Sequence, residues 1–156
     1  MIKNLTKITL AAVILLTANF QSNVIAQDKK VDPNSIYARI GGQPSMDAAI
    51  ELFYKKVLAD ERVNYLFEDV NMKAQKRKQN EFLFAAFGGP KPWEGKDMRT
   101  ANKNLSLDDT HFAAIAEHLQ STLVELKLDE KVIGEIMTIA ASTKDAVLNK
   151  PKKKSE

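Results

Sequence analysis

The sequence predicts an all-α domain. From Asn34 onward apolar residues return every three or four positions, and no segment sustains the alternation of period two that a half-buried strand needs. Glycine, proline, asparagine and aspartate also fall where helices of moderate length would start and stop.

A short helix is expected over Ser35 to Ile40, stopped by Gly41-Gly42, where positive φ costs glycine little. The next begins near Pro44, a residue suited to a first helical position. It puts Met46, Ile50, Phe53 and Val57 on one stripe, with Ala49, Tyr54 and Leu58 beside it. A compact turn covers Val63 to Phe67. Asn71 then caps a helix running to Phe87 and closed by Gly88-Gly89-Pro90. Its spacing places Gln75 and Gln79 on the stripe of Met72, Phe82 and Ala86. Either the stripe begins only at Phe82 and both amides are solvated, or they reach into a cavity as donors; period alone does not separate the two.

An irregular stretch containing Pro92, Trp93 and Gly95 follows, and Ser106 with Asp109 has the spacing of a capping box. The helix it opens is expected to bury Phe112, Ile115, Leu119 and Leu123 and to end around Leu126. Asp129 caps a last helix with the stripe Val132, Ile133, Ile136, Ala140, Thr143 and Val147, in which Gly134 is read as a point of close approach to a neighbour. There is no internal repeat.

At 156 residues, 44% hydrophobic and 28% charged, the chain fits one globular domain. Residues 1–26 read differently. Lys3 and Lys7 precede the apolar run Ile8 to Leu16, and Val24 and Ala26 suit positions −3 and −1 of a cut before Gln27. The run is broken by Thr17, Asn19 and Gln21, short of the roughly 20 apolar residues a membrane anchor needs. A cleaved signal peptide is expected, then a short linker over 27–34, a domain over 35–149 and a basic tail over 150–156. The product would be exported, periplasmic or secreted, and would keep no membrane span.

Removing Lys3 and Lys7 lowers the formal charge from +3 to +1, so the pI of about 9.0 overstates how basic the domain is. The lysines of 150–154 have no aromatic neighbours on which bases could stack, which argues against a nucleic-acid partner. Cysteine is absent, which excludes disulfides, thiol catalysis and Cys-ligated zinc.

The two histidines, His111 and His118, share one helix face about 10.5 Å apart, too far to hold one metal ion. Neither sits in a carboxylate or nucleophile constellation. His111 reads as a surface or pocket-rim residue and His118 as a packing or hydrogen-bonding one. No phosphate loop, zinc motif or nucleophile elbow is present.

The ordered set Ile36-Tyr37-Ala38-Arg39-Ile40-Gly41-Gly42, Phe53 to Asp60, Phe82 to Pro90, His111-Phe112 and Glu117-His118-Leu119 resembles the group I truncated haemoglobins, without gaps from about Ser35 to Leu148. The resemblance implies a truncated globin-like, two-over-two helical sandwich around haem b, with oxygen or nitric oxide as a diatomic ligand. It points to a binding protein rather than a dedicated enzyme, nitric oxide dioxygenation being the chemistry the family admits; a monomer is expected, although the sequence does not fix the oligomeric state. Tyr54 matches the family's distal tyrosine, and Gln75 and Gln79 match the two distal-helix positions that assist it. Phe67 matches the phenylalanine against the porphyrin, and Leu83 the bulky gate of an apolar tunnel. Phe53, Phe82 and Phe112 complete the pocket lining. The cavity reading of the two glutamines follows.

On the other side of the ring the chain departs from the family. The gapless alignment puts Asn102 where the family has its proximal histidine. A carboxamide replaces imidazole poorly, because its oxygen is a weak neutral donor and its nitrogen lone pair is delocalised. Three outcomes follow: haem held by shape and apolar burial with weak or absent proximal ligation; a substitute ligand among Met98, Lys103, His111 and Tyr54; or a haem-free globin-fold binding module.

Overall fold

A computed structural model of the protein describes residues 30–151, so the signal-peptide reading and the lysines of 152–154 lie outside the described residues. Within them every regular element is helical. Ser35 caps α1 (Ile36–Arg39), its Oγ accepting from the Ala38 N–H at 3.2 Å. α2 (Gly42–Leu58) starts earlier than expected from Pro44, because Gly41, at φ 100°, reverses the chain directly into it.

The buried residues of α2 are Met46, Ile50, Tyr54 and Val57. The inward stripe therefore runs through Tyr54; Phe53 is only half-covered and Leu58 is exposed. A 3-10 turn (Asn64–Phe67) occupies the expected compact segment. Asn71 caps α3 (Met72–Ala86), accepting from the Ala74 N–H at 3.0 Å.

Four further expectations need correction. Residues 98–102, read as irregular, form the short helix α4 (Met98–Asn102), capped by Asp97, which accepts from the Thr100 N–H at 3.1 Å and its hydroxyl at 2.6 Å. So short a helix carries no hydrophobic period. The cap of α5 (Asp109–Glu125) is Asp108 and not Ser106, which sits at φ 47°. The Asp108 carboxylate accepts from the Thr110 and His111 N–H groups at 2.9 and 3.0 Å, and the Asp108 N–H donates back to His111 Nδ1 at 3.1 Å. A charged acceptor at a helix start outcompetes a hydroxyl. The last helix is broken into α6 (Glu130–Ser142) and α7 (Lys144–Val147), where the Ser142 and Thr143 hydroxyls bond back to the Ile139 and Ala140 carbonyls and compete with the ladder. A Cβ at Gly134 would meet nothing within 4 Å, so this glycine marks no close approach.

The buried face of α5 also differs from expectation: Ala114, Thr122 and Leu123 are buried, while Phe112, Ile115 and Leu119 are half-covered. α2 packs on α3, α5 packs on α6, and α2 crosses α5 to join the two pairs, the two-over-two arrangement. One core cluster gathers Ile40, Met46, Phe87, Leu123, Val132 and Ile136; a second gathers Val57, Val63 and Ala114, with Phe53, Leu66, Phe67 and Ile115 against it. No described helix is long and apolar enough to cross a membrane.

Candidate functional site

α3 places no residue in the buried class, although its stripe carries Met72, Phe82 and Leu83. It packs closely on α2, and neither α4 nor α5 packs closely on it. One amphipathic face is thus left half-covered, and Gln75 and Gln79 stand on it half-buried.

Beneath this face lies Tyr54, 2% exposed. Gln75 Nε2 donates to the Tyr54 hydroxyl oxygen at 3.1 Å. The ring is wedged edge-on between Phe53 and Phe67, with centroids 5.1 and 5.8 Å away. Burial pushes the phenol above its ordinary pKa, and the Gln75 hydrogen bond offsets this only in part. Tyr54 is therefore a neutral hydroxyl at physiological pH. With the Gln75 N–H on its oxygen, its own proton is free to be donated elsewhere.

Tyr54, Phe53, Phe67 and Gln75 thus form one group, with Gln79 a turn further along α3. Phe82 instead meets Trp93 edge-on at 5.6 Å, in the loop before α4. The sequence reading gave Trp93 no role; as the chain's only tryptophan, set between Pro92 and Gly95, it carried the signal. Leu83 packs against the Ile40–Met46–Phe87 core, and Phe112 lies under the Lys144 ammonium, 5.6 Å from the ring centroid.

Asn102 is the last residue of α4, half-buried; Met98 opens that helix and Lys103, exposed, closes it. His111 is held at the start of α5: Nδ1 lies 3.1 Å from the Asp108 amide nitrogen and 2.6 Å from its carboxylate, and Nε2 pairs with the Tyr65 hydroxyl. His118 Nε2 meets Asp60 Oδ2 at 2.6 Å, and Asp60 is also gripped by Arg62 at 2.7 Å. Among the described residues no three His, Cys, Asp or Glu side chains are grouped to hold a metal ion.

The family model for bacterial-like globins matches residues 35–149, from the cap of α1 to two residues past the last helix. The chain belongs to the group 1 truncated haemoglobin family. This truncated globin is 46% identical to a group 1 truncated hemoglobin of Chlamydomonas moewusii over 122 residues, covering 77% of this chain and 71% of that one. It is 42% identical to that of Tetrahymena thermophila over 116 residues, 74% of this chain and 96% of the relative.

Among solved structures, the 2/2 hemoglobin of Synechococcus sp. PCC 7002, with covalently attached heme, superposes at TM-score 0.71 with 44% identity, over 74% of this chain and 99% of the other. The Fe(III) truncated hemoglobin of Tetrahymena pyriformis superposes at TM-score 0.70 with 43% identity, over 73% and 97%. That protein has also been solved with one tyrosine replaced by phenylalanine and with either of two glutamines replaced by glutamate; these three positions follow one another at the same intervals as Tyr54, Gln75 and Gln79.

Proposed function

We propose that this truncated globin is an exported protein, periplasmic or secreted, that binds haem b and through it a diatomic gas, oxygen or nitric oxide, with weak or atypical ligation from the Asn102 side. The observation that carries the reading is the hydrogen bond from half-buried Gln75, on the half-covered face of α3, to Tyr54 buried beneath it. Together with the likeness to iron-containing relatives, it supports a pocket for a planar apolar group with a small polar ligand on one side.

The residues fit the macrocycle. Phe53 and Phe67 supply apolar wall beside Tyr54, Phe82 with Trp93 extends it toward the loop before α4, and Gln79 continues the polar strip along α3. Haem, when bound, supplies the iron that takes the gas. The protein's part is to bury the ring, exclude water, and donate the Tyr54 proton in a hydrogen bond to the ligand, with Gln75 fixing that hydroxyl. On the α4 side the donor set is poor: Asn102 is a carboxamide, and both histidines are engaged elsewhere.

Titrating the full chain with haemin tests this. A sharp Soret band saturating at equimolar haem, and a marked gain in affinity in Asn102→His, are the expected results. Equal affinity in the two would mean that another residue already ligates the iron. A second reading, a haem-free globin-fold module, is favoured by the same engaged histidines; it predicts no saturable binding.

A further inference from the structure

An axial bond from α4 would do two things in this fold: strengthen haem binding and clamp α4 onto the bound group. The position that would supply it holds Asn102, a poor donor, and His111 and His118 are engaged with Asp108, Tyr65 and Asp60.

What holds α4 is correspondingly slight. This five-residue helix contributes no buried residue and packs closely on α7 alone. Its remaining ties run to one short piece of chain. Arg99 Nη1 donates to the Lys150 carbonyl at 2.6 Å. Turned about its Cγ so that nitrogen and oxygen exchange places, the Asn149 amide meets the Arg99 carbonyl at 3.2 Å and the Lys103 N–H at 3.3 Å. Lys150 is itself anchored to the start of α5 by the Asp109 carboxylate at 3.2 Å. All of these are exposed polar contacts with which water competes. The loop leading into α4 touches the pocket lining through Trp93 on Phe82, so a displacement of α4 opens the wall at that aromatic pair.

Resting on the haem reading above, we propose that α4 and the loop before it are a door, and that the protein is a haem carrier: it takes haem up by apolar burial and hands it intact to an acceptor protein offering an imidazole. The transfer is a ligand exchange. The weak contact on the Asn102 side is replaced by the acceptor's imidazole nitrogen, and the iron keeps its oxidation state. No covalent bond within the porphyrin is made or broken.

The test is haem transfer from the haemin-loaded full chain to excess apomyoglobin, followed by the Soret change. Asn102→His, which supplies the clamp, is expected to slow transfer by about tenfold or more, since affinity differences of this kind fall mainly on the dissociation rate. Arg99→Ala, which cuts the tie to Lys150, is expected to speed it. Saturable binding with transfer equally slow in wild type and Asn102→His overturns the carrier while leaving the haem reading in place. A rate unchanged in Arg99→Ala overturns the door. Absence of saturable haemin binding overturns both readings.

Discussion

Gln75 Nε2 donates to the Tyr54 hydroxyl across 3.1 Å, tying α3 to the most deeply buried stripe of α2. The geometry leaves the Tyr54 proton free for a third partner. Tyr54→Phe keeps the ring and its contacts with Phe53 and Phe67 and removes the hydroxyl, and with it both that proton and the acceptor of the Gln75 N–H. In the haem-loaded, reduced protein, oxygen dissociation is expected to quicken by about fivefold or more, the loss of a hydrogen bond worth about 1 kcal/mol. Stopped-flow displacement of oxygen measures it, and an unchanged rate would remove Tyr54 from this role.

Thr122 is fully buried on α5 and its hydroxyl has no hydrogen-bond partner among the described residues. Valine has the same shape without the stranded polar atom. Thr122→Val is therefore expected to stabilise the fold by about 1 kcal/mol, raising Tm by roughly 2–4 °C. A lower Tm would show that the hydroxyl is satisfied in solution.

Gly88 turns the chain out of α3 at φ +86°, and a Cβ there would lie 2.9 Å from the Ser35 Cβ. The adjacent Phe87 carbonyl accepts the Tyr37 N–H at 2.9 Å, so this corner fixes α1 to the end of α3. Gly88→Ala is expected to cost more than about 1 kcal/mol from the left-handed backbone and the contact together. The midpoint of urea unfolding would fall; an unchanged midpoint would mean that the corner relaxes freely.

Asp60 joins the end of α2 to α5 through His118, at 2.6 Å, with its carboxylate 14% exposed. Hydrogen bonds from the Arg62 side chain and backbone, and then from His118, hold its carboxyl far below the ordinary carboxylate range. The folded chain thus binds this proton less tightly than the unfolded chain. The stability gained is present above the ordinary carboxylate pKa and is lost as pH falls through the depressed folded value. Asp60→Asn is expected to lower Tm at neutral pH, with the gap to wild type closing on acidification. Parallel melting curves from neutral pH down to about pH 2 make the comparison; a gap independent of pH would place the effect in packing.

The sequence by itself determined the all-α class, several of the helix ends and the family. Asn71 and Asp129 cap where their spacing predicts, and local chemistry is sufficient for that, because a cap is decided within three residues. It also put Tyr54, Gln75 and Gln79 together by resemblance, and Asn102 alone. Tertiary structure decided the rest. Periodicity ranks Phe53 inside and Tyr54 beside it, whereas the crossing of α2 over α5 turns Tyr54 inward and leaves Phe53 half-covered. α4 carries no hydrophobic period and is fixed by contacts with residues 149–150, about half the domain away along the chain. Whether a histidine is free is likewise a question of distant partners. Tyr65 and Asp60, which engage His111 and His118, come from the turn that follows α2, distant in sequence, and no local pattern along α5 names them.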